Sequence, residues 1–299
     1  MKLKCAAFLI LFLLFVEAHA QVGENRSLFV QDSLKLISSQ FKFTEGASVD
    51  KKGNVFFTDQ PNDHIWKYGI DGKLSLFLSK SGRANGTFFD KKGNLIACAD
   101  ENNEIWSINP KGKVTLIFKK SIGEGLNGPN DLWIDAKGGI YFTDPYYQRK
   151  YWLRQAPEIK GEKLYYLPKG KKSILTIDSL LVRPNGIVGT PDGKVLYVAD
   201  ALGNKIYQYD IKEDASLTNR KVLLARGSDG MTLDEKGNLY LTGKNGVDIY
   251  SAKGEHLGNI KIPESHTANL CFGGKNRDLL FVTASKSVYV LKMKIRGVE

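Results

Sequence analysis

Five residues with oxygen-bearing side chains, Glu45, Asn85, Asn130, Asn185 and Asp229, stand in the phrases TEGA, RANG, GPND, RPNG and GSDG. Each lies eight positions before a turn glycine: Gly53, Gly93, Gly138, Gly193 and Gly237. One Asn or Asp ahead of a strand is ordinary turn chemistry. Five at a single offset point to a shared place in space, and Asn269 in TANL is the matching residue of a sixth, degenerate copy. If these residues converge, two carboxylates meet several amides in one small volume. Ionised groups buried without compensation cost several kcal/mol each, and a bound cation removes that cost. All the donors are oxygens, so a hard cation is expected: Ca²⁺ first, with Mg²⁺, Mn²⁺ or Zn²⁺ as alternatives. No His/Cys cluster marks a dedicated zinc site.

The elements that must position these residues are written in the same repeat. VDKKGNVFFTD (49–59) returns as FDKKGNLIACAD (89–100), IDAKGGIYFTD (134–144), GTPDGKVLYVAD (189–200) and LDEKGNLYLTG (233–243). FGGKNRDLLFVTAS (272–285) is the degenerate sixth copy. Each copy runs through an Asp/Lys/Gly turn into a strand of Val, Leu, Tyr and Phe. A third strand follows, as in HIWKY, EIWSI or KIYQY, and then a fourth, as in GKLSLFL or GKVTLIF. Four short strands per forty-odd residues make one blade, so the chain is expected to be all-β, a six-bladed β-propeller.

The last copy shows only three strands, whereas SLKLISSQFKF (33–43) is a spare strand ahead of the first blade. The N-terminal strand is therefore expected to pair with the last blade and close the ring. Residues 33–299 form one propeller domain in this reading, and residues 21–32 are an N-terminal extension without an assigned role. The first strand of a blade is innermost, which puts the Glu/Asn/Asp set around one channel mouth. The third copy also carries an insert, PYYQRKYWLRQAPEIKGEK (145–163), leaving from the same rim. Tyr146, Tyr147, Tyr151 and Trp152 offer flat faces for a polyol, and Arg149 and Arg154 offer charge for an anion. A loop of this length is more often functional than idle.

Residues 1–20 read as a leader: a basic start, the apolar run AAFLILFLLFV (6–16), and Ala18-His19-Ala20 as a small-x-small cleavage site. The run is too short for a spanning helix, so the expectation is an exported protein, periplasmic or extracellular, with no stable membrane anchor. Cys98 and Cys271 follow it in apolar stretches and read as buried free thiols. The formal charge of +11 is spread over lysine-bearing turn tips, without the basic–aromatic interleaving of a nucleotide track, so no nucleic-acid partner is expected. G-x-S-x-G, P-loop and G-x-G-x-x-G patterns leading into a helix are absent from the sequence. His64 and His256 read as strand-edge or hairpin residues. His266 reads either as a residue near the mouth or, more plainly, as an exposed loop residue.

LNGPNDLWIDAKGGIYFTDPYY, RPNGIVGTPDGKVLYVAD and SDGMTLDEKGNLYLTGKNGVDIYSAKGEHLG, in this order, resemble the SMP-30/gluconolactonase/luciferin-regenerating-enzyme family, closest to its bacterial gluconolactonase branch. The likeness runs over roughly residues 43–292. It implies a divalent cation in the channel held by Glu45, Asn185 and Asp229, and hydrolysis of a small-molecule lactone such as gluconolactone. It implies Asn130 as a residue for substrate or a metal-bound water, and Asp229 as the general base or as the relay of a proton from metal-bound hydroxide; Asn85, read from the repeat, joins Asn130 as a substrate candidate. Animal members carry an arginine where this chain has Gly128, and Arg83 and Arg183 in equivalent rim loops are the candidates to replace it. Two other readings stay open: the same site acting on other lactones or phosphotriesters, and a non-catalytic propeller stabilised by its cation. The sequence leaves the oligomeric state unknown.

Overall fold

The computed structural model describes residues 28–119 and 125–298; the leader and most of the N-terminal extension lie outside them. The repeated phrase folds locally for a clear reason. In the first copy, Asp50 Oδ1 accepts the N–H groups of Lys52 and Asn54 at 2.8 and 2.9 Å, and Gly53 takes φ +94° to complete the turn. Asp90 and Asp234 repeat this with Lys92, Asn94, Lys236 and Asn238. The aspartate supplies the acceptor that nucleates the turn, and glycine supplies the left-handed residue that closes it. The lysines between them project into solvent.

The resulting strands form six four-stranded antiparallel sheets arranged as a β-propeller. The innermost strands are Thr44–Val49, Ala84–Phe89, Leu132–Ile134, Pro184–Gly189, Met231–Leu233 and Thr267–Gly273. The first five sheets are each continuous in sequence. The sixth takes its outer strand, Lys35–Ser38, from the other end of the chain, paired antiparallel with Ser287–Lys292. Residues 28–30 continue this contact: Phe29 bridges Met293, and Val30 N–H donates to Lys292 O at 2.9 Å.

The core is divided rather than central. Six apolar clusters occupy the six blade-to-blade junctions, the last of them joining Val55 and Phe57 of the first blade to Cys271 and Phe281 of the sixth. Strand residues alternate between the two flanking junctions, so both faces of each sheet are buried and the channel is left to polar residues. Cys98 and Cys271 are both buried thiols within these clusters. Among the described residues no helix is long and apolar enough to cross a membrane.

Candidate active site

The innermost strands do not run straight into the mouth. Pairing slips between Glu45 and Ser48, between Ala84 and Thr87, and between Pro184 and Ile187. Such a bulge re-aims a side chain, here out of the pleat and toward the axis. The next blade's backbone is brought very close at the same level. Gly86 N–H donates to Asn130 O at 2.6 Å, and a Cβ on Gly46 would sit 2.0 Å from Asn85 O. Gly186 and Gly230 are crowded in the same way by Asp229 O and the Asn269 backbone. The glycine after Glu45, Asn85, Asn185 and Asp229 is thus a packing requirement, and Gly46 also needs its φ of +54°. Gly46→Ala should cost about 2–3 kcal/mol of stability, read from the urea midpoint at unchanged m.

Threonines fix the register. Thr58, Thr143 and Thr242 donate their hydroxyls to the carbonyls of Asn85, Asn185 and Ala268 in the following blade, at 3.1, 2.8 and 2.9 Å. Within blades, Thr143, Thr242 and Thr283 accept the N–H of Asp131, Gly230 and Asn269. These equivalences correct the expected ring. Its sixth member is Ala268, and Asn269 corresponds to Asp131. Both turn their side chains back onto the next N–H, of Leu270 at 2.7 Å and Leu132 at 2.9 Å. The ring therefore carries five oxygen-bearing side chains, Glu45, Asn85, Asn130, Asn185 and Asp229, all lining one cavity of about 710 Å³.

Within that cavity the charges are poorly compensated. Burial pushes the Glu45 carboxyl well above the usual carboxylate range, and the negative charges of Asp229 and Asp131 raise it further; Gly46 N–H and Arg149 offset only part. Asn185 spends its amide N–H on Tyr147 Oη at 3.1 Å, leaving Oδ1 as its remaining acceptor. Burial pushes the Tyr147 phenol up to about 12, so it remains protonated. An all-oxygen donor set around an under-compensated buried carboxyl fits a hard cation. Among the described residues no group of three His, Cys, Asp or Glu side chains forms a metal cluster, because this set draws part of its oxygen from amides.

His266 is the residue that the sequence undervalued. Its ring lines the cavity, lies 2.7 Å from Asp229 Oδ2 through Nε2, and stacks against Phe43 with centroids 6.0 Å apart. The hydrogen bond it donates to Asp229 raises its pKa against the opposing effect of burial.

The long insert forms one wall. Three second-strand aspartates, Asp59, Asp144 and Asp200, each tie down two consecutive N–H groups of their own blade's entry loop. Asp100, at the same position in the second blade, holds the insert instead. It accepts from Arg149 Nε at 3.0 Å and Tyr151 Oη at 2.6 Å, and its carbonyl accepts from Trp152 Nε1 at 3.1 Å. This places Tyr147 and Arg149 in the cavity wall. Tyr146, Arg83 and Arg183 are not among the residues that line the cavity. Tyr146 bonds to Gln148, Arg83 packs on Tyr151 beside Glu101, and Arg183 packs on Tyr147 beside Glu162. Arg154 lies over Trp152 at 3.8 Å, so its charge serves the insert's own packing. Removing the anchor with Asp100→Ala should make trypsin cleave at Arg149–Lys150 about tenfold faster, because local opening no longer breaks the ion pair.

Residues 43–286 match the sequence pattern described as the SMP-30/Gluconolactonase/LRE-like region. A gluconolactonase of Zymomonas mobilis is 29% identical over 305 residues, covering 90% of this chain and 84% of its own length. A gluconolactonase structure from Xanthomonas campestris superposes with a TM-score of 0.81 at 24% identity, over 90% of this chain and 91% of that one. A structure described as calcium-binding regucalcin from Agrobacterium tumefaciens gives 0.74 at 17% identity, over 88% and 94%. These two structural likenesses speak for the fold. With the sequence match over most of the propeller, the chain belongs to the SMP-30/gluconolactonase/LRE-like family.

Proposed function

We propose that the chain is an exported lactonase that opens aldonolactones such as gluconolactone to the aldonic acid, with one divalent cation, Ca²⁺ first, at the channel mouth. The observation that carries this reading is the convergence of Glu45, Asn185 and Asp229 in one cavity whose buried carboxyl is only partly compensated by Arg149 and Gly46 N–H. The gluconolactonase name of the Zymomonas mobilis relative supports the reaction class. Glu45, Asn185 and Asp229 would hold the cation. When bound, it supplies Lewis-acid polarisation of the lactone carbonyl and of the attacking water.

The chain's own groups do the rest. Asn85 and Asn130 present amides able to donate to and accept from ring hydroxyls, which suits a polyol better than an apolar lactone or a phosphotriester. Asp229 is placed to take the proton of the attacking water as its oxygen adds to the carbonyl carbon. It returns that proton to the ring oxygen when the ester C–O bond breaks. His266 occupies Oδ2 of Asp229 and fixes the carboxylate's orientation. Tyr147 and Arg149 close one side against water.

The test is acid release from glucono-δ-lactone by chelator-stripped protein, with spontaneous hydrolysis subtracted, as Ca²⁺, Mg²⁺, Mn²⁺ or Zn²⁺ is restored. Saturable restoration, strongest with Ca²⁺, is expected. No turnover with any of the four sinks the reading.

A further inference from the structure

The mouth is asymmetric. In the third blade the second and third strands are joined by the long insert between Asp144 and Glu162, which walls the cavity. In the fifth blade the same connection is only Lys244-Asn245, between Leu239–Gly243 and Gly246–Tyr250. This is one of the two shortest such connections, Ser285-Lys286 of the sixth blade being the other, and on the fifth blade the cavity spills outward over the third-strand residues Asp248 and Tyr250. A second depression of about 480 Å³ shares Asn245 and Asp248 with it and continues to Asn259 and Lys261 on the outer edge of the blade. The two form one radial trough that leads from the channel across the fifth blade.

The inner part of the trough is already ordered. Arg226 is ion-paired with Asp248 and donates to Gly227 O at 3.1 Å and Thr242 O at 3.2 Å. Asp248 also accepts from Asn259 Nδ2 at 2.9 Å and lies 3.3 Å from His256 Nε2. Fixed planar amide, carboxylate and guanidinium groups beside the Tyr250 ring are suited to adjacent hydroxyls and an apolar sugar face. The Arg226–Asp248 pair is internally neutral, so the ordered inner part favours an uncharged occupant, whereas Lys244 and Lys261 on the lining are the cations that an anionic occupant would use. One aldonolactone ring fills only part of 710 Å³, a volume of the size that encloses a larger ligand.

We propose that this trough is a second subsite for a neutral glycosyl unit, so that the preferred substrate is a lactone of a disaccharide acid, its lactone ring in the channel and its second sugar across the fifth blade. This rests on the lactonase reading for the ring at the mouth, but the subsite can be tested without turnover.

Binding of cellobionate and gluconate, the ring-opened acids, to the full protein in Ca²⁺ is compared by calorimetry. Cellobionate is expected to bind at least about tenfold more tightly. In Asn245→Ala/Asn259→Ala that advantage falls about threefold to tenfold, while gluconate binding, which also reports that the variant is folded, stays within twofold. Equal affinities for the two acids would overturn the subsite. Tighter binding of 6-phosphogluconate without any gain for cellobionate would overturn its assignment to a neutral sugar. If cellobionate binds tighter but neither lactone is hydrolysed with any cation, the subsite stands and the lactonase reading falls.

Discussion

Asp229→Asn is expected to lower kcat for gluconolactone by about 10²–10⁴-fold, with a smaller change in KM. The substitution keeps the shape of the side chain and an oxygen for the cation, but removes the group able to accept a proton. Because Asp229 lines the cavity and its Oδ2 lies against His266 Nε2, the variant also changes what the imidazole meets. Two roles are separated by titrating Ca²⁺. A residue acting only as a ligand is rescued by excess cation, whereas a proton acceptor is not. Full activity of Asp229→Asn at saturating Ca²⁺ would remove Asp229 from the chemistry.

The second large effect changes sign with conditions. In chelator, Glu45→Gln should stabilise the protein by about 1–4 kcal/mol, since it removes a buried carboxylate facing Asp229 and Asp131. That corresponds to about 2–4 °C in Tm for each kcal/mol. In Ca²⁺ the order reverses. The wild type then gains binding energy, about 2.7 kcal/mol at a hundred times Kd, that the variant largely forfeits. Differential scanning of both proteins, with and without Ca²⁺, gives the four values needed. A variant less stable than wild type in both conditions would mean that Glu45 serves packing and its carboxylate has no cation to hold.

Much of this was legible in the sequence because the fold is periodic. Turn chemistry at Asp50, Asp90, Asp135 and Asp234 sets the phase of each blade, and counting back from the glycine finds Glu45, Asn85, Asn130, Asn185 and Asp229. The phase is lost where its marker is degenerate. FGGKNRD has no Asp-x-x-Gly turn, so the count lands one residue late in the sixth copy, at Asn269 instead of Ala268. That slip also hid His266. In the corrected register it stands two before its ring position, as Phe43, Arg83, Gly128, Arg183 and Gly227 do in theirs. The sequence thus held the signal, but only for the right register. The outward turn of Arg83 and Arg183 was not legible at all. It depends on Tyr151 and Tyr147, which reach them from another blade.

The outer strand of the sixth blade has a kinetic consequence. Lys35–Ser38 pairs with Ser287–Lys292, so the contact that completes the ring joins nearly the whole length of the chain. Five blades can form from neighbours as they are synthesised, but this strand must wait for the C-terminal one. Loop-closure entropy grows only slowly with length, whereas folding rate falls steeply with the sequence separation of contacts. The last step of folding is therefore the slowest to arrive. Until it does, the first and sixth blades each have one neighbour fewer, and the Cys271–Phe281 face that should meet Val55 and Phe57 lies open to water and to other chains.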